Sequence, residues 1–504
     1  FPLWDGTDRL LVSWSPCRLI ENDIIVPCSP ESLLNPDAVE ANPLYGIWIY
    51  DPSSSTQLPV VLPVENQMFT EIVAAHPRVR PTVLIDKQPG VELDSALFND
   101  GLGVLHIRSV YDFDGVDTAN PNIATLADPA QTLAAERSAR FLRVVKAVSV
   151  PDDDVHDFNN SAYGPNINQL MREIVAYAPI EPDGSVKITV PADVSLAVSV
   201  VDEDGHRIGG RHQNWIQLRP GETRTCNGCH TAASETVHGR TGAEFPSINV
   251  GSQNTGQPFP NTVARLWTDF GETMADTRTR HSEMASCTVD CTALTPSHNL
   301  IYQDVWTDPA VRTPDADLNY LYSALSTPSP ALNCTPSWSN RCRIVIHYET
   351  HIHPMWSVVR PDPADTCIEC HTLVDAMDMP RVPDAQLDLT DDGPNDNGDR
   401  FKAYNELFFG DNELWIDPDG DGELEDRLQQ TGVDENGDPI FSPIPAVPGP
   451  SMRASGAAQS NFFSIFEPGG THVGRMTPEE LRLIAEWLDI GAQYYNNPFD
   501  APSN

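Results

Sequence analysis

Two short stretches, Cys226-Asn227-Gly228-Cys229-His230 and Cys367-Ile368-Glu369-Cys370-His371, repeat one pattern, CxxCH. The composition of the chain predicts only about 0.005 chance copies of this pattern. In c-type haem attachment two thiols add to the vinyl groups of the macrocycle, and the adjacent histidine lies under the iron. A zinc site would need four convergent ligands, and a redox CxxC does not need the histidine. The sequence therefore predicts two covalently bound haem c groups, held by Cys226, Cys229, His230, Cys367, Cys370 and His371.

The ligand on the other face of each iron distinguishes an electron carrier from a catalyst. For the second haem, His472 is the leading candidate, because the capped helix that follows would hold its loop in place. His351 and His353 compete from upstream of the motif, and Met379 or Met476 would raise the potential. For the first haem, the sequence leaves His212 and His238 as alternatives.

The other six cysteines fall into three local pairs, which predict disulfides and hence an oxidising compartment. Free buried thiols are the alternative. We therefore expect a periplasmic or extracellular protein. The pairs are Cys17 with Cys28, Cys287 with Cys291, and Cys334 with Cys342.

The charge of the chain limits its partners. Its 31 basic and 72 acidic residues give a formal net charge of −41, which disfavours nucleic acid and anionic membrane surfaces as partners. No apolar run approaches the roughly 20 residues of a membrane span. The sequence has neither an initiator methionine nor a signal peptide, so we expect a mature or trimmed product.

The local patterns predict β-structure first and helices later. Short apolar runs at 10–14, 45–50, 58–64 and 104–110 are about what one propeller blade needs. Further strands are predicted at 141–150, 185–190, 195–201 and 214–218, with helices at 127–140 and 167–178. The clearest helix is 478–490, where Thr477 caps the first turn, Glu480 completes a capping box and Gly491 follows.

These elements predict a multidomain β and α protein. Residues 1–126 form a β-rich, propeller-like or sandwich segment, and residues 127–245 form a β domain with the first haem. Residues 246–344 form a loop-rich, disulfide-held connection, and residues 345–504 form a mainly helical, cytochrome c-like domain with the second haem.

An acidic turn suggests a calcium site. Residues 417–423 match the first half of an EF-hand loop, although Leu428 stands where the loop's last glutamate belongs. Glu425 or Asp426 could substitute, and a solvated turn is the alternative. The candidate calcium ligands are Asp417, Asp419, Asp421 and Glu423.

Three segments carry a family resemblance: APIEPDGSV at 178–186, WIQLRPGETRTC at 215–226 and WLDIGAQYYN at 487–496. They resemble proteins related to the hydrazine synthase alpha subunit, and the resemblance extends over residues 1–245 and 345–504. It implies a propeller-derived segment, a β domain with one haem and a helical domain with a second. In the synthase a catalytic haem has a tyrosine ligand and a neighbouring zinc, and that tyrosine cannot be assigned to any position here. Because many relatives are simply multihaem proteins, the resemblance favours a cytochrome over an enzyme.

Together, the sequence predicts an extracytoplasmic dihaem cytochrome that transfers electrons to a redox partner or to copies of itself. A haem oxidoreductase acting on a small nitrogen or oxygen compound at an open first haem is the alternative. A third hypothesis is a subunit of a polymer whose haems line up between copies.

Overall fold

Small β-sheets make up most of the regular structure, and helices are few. The computed structural model describes all residues except 4, 76–82, 84, 166–167, 169, 235–244, 289, 335–336, 361–364, 391–399, 419, 421 and 504. The chain forms two units, residues 1–86 and residues 87–504.

The first unit contains two antiparallel sheets of three strands each. One has the order β1–β5–β6, and the other has the order β3–β2–β4. A propeller blade needs four strands in one sheet, and the fourth predicted strand, at 104–110, belongs to the second unit. The described part of the first unit therefore shows no blade. The strands are β1 (Leu10–Trp14), β2 (Arg18–Glu21), β3 (Ile24–Pro27), β4 (Val39–Glu40), β5 (Gly46–Asp51) and β6 (Thr56–Val61).

Two three-stranded sheets form the β core of the second unit. One has the order β11–β10–β13 and is antiparallel. The other has the order β12–β7–β14, in which β14 runs parallel to β7 and ends at Cys226. Because β7 pairs with β12 and β14, the segment predicted to end at residue 126 shares a sheet with the β domain that follows it. The strands are β7 (Leu102–Ile107), β8 (Asp112–Phe113), β9 (Val116–Asp117), β10 (Phe141–Ala147), β11 (Arg172–Pro179), β12 (Val186–Pro191), β13 (Leu196–Val201) and β14 (Thr223–Cys226).

The rest of the second unit consists of loops, short hairpins and short helices. Its strands pair as β15 (Leu300–Tyr302) with β16 (Leu318–Tyr320), β17 (Leu414–Ile416) with β18 (Leu424–Asp426), and β19 (Leu428–Val433) with β20 (Pro439–Pro443). All three predicted cysteine pairs are joined as disulfides.

Seven α-helices lie in the described part of the second unit, and none is long and apolar enough to cross a membrane. The longest begins as predicted: the Thr477 hydroxyl accepts from the Glu480 N–H, and the Glu480 carboxylate accepts from the Thr477 N–H. It ends at Gly491, whose φ of 115° is left-handed. The helices are α1 (Ser95–Asn99), α2 (Ile123–Leu126), α3 (Asp153–His156), α4 (Met274–Ser282), α5 (Cys367–Cys370), α6 (Lys402–Phe408) and α7 (Pro478–Ile490).

Several sequence predictions of secondary structure are wrong. The helix expected at 167–178 is replaced by β11, whose residues are buried nearly continuously. Such a strand gives an apolar run that periodicity cannot distinguish from a buried helix. In the helix expected at 127–140, Asp128 instead closes a local turn by accepting from the Ala130 N–H. Residues 214–218 contribute only an isolated bridge, and hairpins make 345–504 less helical than predicted.

Helix α7 is tied to the β core by buried charges. The Glu486 carboxylate is fully buried and accepts hydrogen bonds from the hydroxyls of Tyr177, at 2.7 Å, and Tyr322, at 2.8 Å. One turn later, the Asp489 carboxylate lies 2.8 Å from the Arg143 guanidinium, and both side chains are 1% exposed. Since these partners come from β10, β11 and the segment after β16, they fix the position of α7 against the sheet.

We expect Asp489→Ala to lower the free energy of unfolding by about 3–5 kcal/mol, because it leaves the buried Arg143 guanidinium without its carboxylate. The same change also removes the acceptor for the N–H groups of Arg207 and Ala457. Urea unfolding of the purified protein measures the effect. The control is Glu413→Ala, which breaks the more exposed pair with Arg427 and should cost at most about 1 kcal/mol. Equal losses in the two variants would contradict the prediction.

Candidate functional site

The first CxxCH motif is held against the loop that follows β7. The Cys226 carbonyl accepts from the Arg108 N–H at 2.9 Å, and the Cys229 N–H donates to the Asp112 carbonyl at 2.7 Å. At Gly228 a Cβ would lie only 2.4 Å from the Asp112 carbonyl oxygen, so no larger residue fits. Burial raises the pKa of the Cys229 thiol to about 12. The motif is therefore a fixed turn at the end of a strand.

His212 lies beside the histidine of this motif. The ring centroids of His212 and His230 are 6.3 Å apart, with an interplanar angle of 79°. His230 Nδ1 donates to the Thr231 carbonyl at 3.1 Å, which leaves its Nε2 as the atom able to ligate. The His212 carbonyl accepts from the Arg172 guanidinium at 2.9 Å, and burial lowers the pKa of the His212 ring, favouring the neutral form that binds metals.

The second CxxCH motif forms the one-turn helix α5. The His371 N–H donates to the Cys367 carbonyl, and the His371 carbonyl accepts from the Leu389 N–H, both at 3.0 Å. His371 Nδ1 donates to the Leu387 carbonyl at 3.2 Å, so its Nε2 also remains available. Burial lowers the pKa of His371 and favours the neutral ring.

His472 faces His371 across the second site. Their ring centroids are 6.2 Å apart and the planes differ by 27°. The His472 N–H donates to the Ile465 carbonyl at 2.8 Å, and Nδ1 is hydrogen-bonded to the Thr471 hydroxyl at 2.8 Å. A Cβ on Gly470 would lie 2.3 Å from the Ile465 carbonyl oxygen, so the loop that presents His472 requires glycine there.

The two ring separations fit a metal ion between each pair. Two imidazoles that ligate one ion from opposite sides, with bonds of about 2 Å each, place their centroids about 6 Å apart. Both observed separations, 6.3 Å and 6.2 Å, agree with this value. At both sites the residues present therefore fit a haem iron with two axial histidines.

A cavity of about 780 Å³ adjoins the second pair. This volume lies within the usual range of cofactor sites. Both thiols of the motif and both histidines line it, so its walls bring together the groups that covalent haem attachment requires. The lining also includes the buried rings of Trp356 and Phe462 and the carboxyl of Glu406.

The competing ligand candidates lie elsewhere. His353 is buried, with its ring 4.9 Å from that of Phe401, and the His351 ring stacks on that of His347 at 5.8 Å. Met379 is 57% exposed, and Met476 is buried without lining the cavity. His238 lies outside the described residues.

Two of the four predicted calcium ligands, Asp419 and Asp421, are outside the described part of the chain, so the prediction is untested for them. Among the residues that the structure describes, no three histidine, cysteine or acidic side chains are grouped as a metal site. Asp417 and Glu423 therefore gain no support as ligands.

Sequence reasoning missed Glu406 and the groups that form hydrogen bonds with His371 and His212. The Leu387 carbonyl that orients His371 and the Arg172 guanidinium that holds His212 are brought in by tertiary structure. The local sequence gave one indication of a buried acidic residue at Glu406. Its neighbours in α6, Ala403, Tyr404, Leu407 and Phe408, are apolar or aromatic and buried.

One segment of the chain is similar to a known protein family. The family model described as the hydrazine synthase alpha subunit middle domain matches residues 138–231, which include His212 and the first CxxCH. No curated protein matches the chain significantly. A solved structure of Kuenenia stuttgartiensis hydrazine synthase is 14% identical, with a TM-score of 0.39, and the match covers 98% of this chain. It covers 55% of the solved chain, so this protein spans about half of that length. Through residues 138–231, the protein is related to the hydrazine synthase alpha subunit.

Proposed function

We propose that the protein is an extracytoplasmic dihaem c-type cytochrome that transfers electrons. His212 and His230 would hold the iron of a first haem attached at Cys226 and Cys229. His371 and His472 would hold the iron of a second haem attached at Cys367 and Cys370. The observation that carries this proposal is the pairing of each motif histidine with a second histidine about 6 Å away.

A haem supplies reversible one-electron chemistry at its iron. The chain's own groups fix the axial rings from behind, through the carbonyls of Leu387 and Thr231 and the hydroxyl of Thr471. With His212 and His230 holding one iron and His371 and His472 the other, neither iron would keep a position for a substrate. This arrangement favours electron transfer over catalysis at an open first haem.

A chain of aromatic rings connects the second site with the segment that leads to the first. The His472 ring lies 5.8 Å from that of Phe466, which lies 5.0 Å from Phe462. Phe462 lies 5.4 Å from Phe463, and Phe463 lies 4.5 Å from His206, on the loop that continues to His212. This line of ring contacts from His472 to His206 supports electron transfer within the chain.

The net charge and the disulfides support the proposed partners and compartment. Three disulfides are typical of a periplasmic or extracellular protein. A net charge of −41 favours a redox partner with a basic docking surface. Association with further copies of the chain, as in a polymer, is the other arrangement that would continue the electron path.

The spectrum of the native ferric protein tests the proposal. We expect ultraviolet–visible and EPR spectra in which both haems are low spin, because two imidazoles ligate each iron. Neither ferrous haem should bind carbon monoxide rapidly. A native high-spin component, or rapid carbon monoxide binding at one haem, would instead support an oxidoreductase with an open site.

A further inference from the structure

The second site contains a buried carboxyl to which the proposed electron transfer assigns no role. Glu406 lies on α6, its side chain is only 7% exposed, and it lines the same cavity as His371 and His472. A carboxylate at this depth is costly unless a positive charge compensates it. Its protonation state therefore depends on every charge that shares the cavity.

The charged groups nearest Glu406 are the Lys402 ammonium and the carboxyls of Asp388 and Asp411. Arg475 also lines the cavity and is paired with the Asp365 carboxylate. Lys402 Nζ lies 3.9 Å from Glu406 Oε1, but it also lies 3.5 Å from Asp388 Oδ2, so one ammonium serves two carboxyls. The pKa of Glu406 is raised to about 7: burial is the largest cause and raises it, Lys402 lowers it, and the Asp411 and Asp388 carboxyls raise it. A hydrogen bond from the Asp388 backbone N–H also lowers it. Because the resulting pKa lies near neutrality, a change of one charge nearby is enough to shift the protonation of Glu406 near neutral pH.

Building on the proposed function, we propose that Glu406 is a proton-binding site coupled to reduction of the second haem. Reduction lowers the charge in the cavity by one unit, and in a poorly solvated cavity this weakens the stabilisation of a nearby carboxylate. One electron from a one-electron donor, a reduced cytochrome in the cell or dithionite in vitro, converts ferric to ferrous iron. One proton from solvent then forms an O–H bond on the Glu406 carboxylate, so the total charge of the cavity is unchanged.

Other groups on the cavity wall are less suited to this role. His371 and His472 use their rings for the iron. Asp388 is not part of the cavity lining, and its carboxylate accepts from the Thr390 N–H and hydroxyl. Asp411 is exposed, so solvent screens its charge. Glu406 combines burial, position on the wall and a shared counter-ion.

Spectroelectrochemical titration of the second haem between pH 5.5 and 9 tests this assignment. The Cys226→Ser/Cys229→Ser background removes the first haem and isolates the signal. In that background the midpoint potential should fall with rising pH near neutrality, approaching 59 mV per pH unit, since tenfold in proton activity corresponds to 59 mV for one electron. Glu406→Gln should flatten this dependence, whereas the exposed Glu435→Gln should keep it.

A second variant keeps the proposal testable if Glu406→Gln does not fold. Lys402→Gln removes the cation that lowers the pKa of Glu406, so the pH-dependent range should move to higher pH. An unchanged slope in Glu406→Gln, or a pH-independent midpoint in the parent background, would overturn the assignment and leave the haem propionates or no group as the proton site. If the second haem is absent or not low spin in the parent protein, the proposed function itself has failed.

Discussion

The purified protein is expected to carry two haems that remain attached after acid–acetone extraction. Its intact mass should exceed that of the polypeptide by two haem masses. The reason is chemical: thioether bonds to Cys226, Cys229, Cys367 and Cys370 resist conditions that release a haem held only by its iron. Loss of the cofactor into the acetone phase would show that the motifs bind it without covalent bonds.

Paired cysteine variants separate the two attachment sites. Cys226→Ser/Cys229→Ser should reduce the added mass by one haem, and Cys367→Ser/Cys370→Ser should remove the other. A matched control is Cys287→Ser/Cys291→Ser, which opens a disulfide between cysteines four positions apart and should keep both haems. If the control lost haem as readily as either motif variant, attachment would depend on general folding rather than on the CxxCH thiols.

Features set by short stretches of sequence could be predicted, and features set by long-range packing could not. The first turn of α7 follows from Thr477, Pro478 and Glu480 alone, and the structure confirms both ends of the helix. The disulfides were predictable because each joins cysteines within 11 residues. In contrast, β11 is buried nearly throughout. It is a strand because it pairs with β10, and local periodicity carries no information about that pairing.

At the proposed haem sites, too, the local motifs were predictable and the long-range partners were not. Each motif histidine is defined by its neighbour in sequence, but its partner must come from another element. His472 could be favoured because a glycine-containing loop precedes a capped helix, whereas His212 and His238 stayed equivalent by sequence. The structure distinguishes His212 through its carbonyl contact with Arg172 on β11 and its 6.3 Å separation from His230. The contact with Arg172 depends on strand β11, which sequence reasoning had interpreted as part of a helix.

Replacing either proposed distal histidine should change the spin state of one haem and leave the other unaltered. His472→Ala removes the imidazole whose ring faces His371, so the second iron loses its sixth ligand and should become high spin in the ferric EPR spectrum. His212→Ala should do the same at the first iron. In the double variant both haems should be high spin, because no described histidine other than these pairs with a motif histidine at the observed separations.

The matched control for these variants is His353→Ala, which removes a buried imidazole that packs on Phe401 outside the cavity. It should leave both haems low spin even though it costs stability. Added imidazole should restore the low-spin signal in His472→Ala, since the cavity left by the side chain adjoins the iron position. A low-spin His472→Ala protein together with a high-spin His353→Ala or His351→Ala protein would place the distal ligand upstream of the motif. The 6.2 Å separation of the His371 and His472 rings would then not mark an iron site.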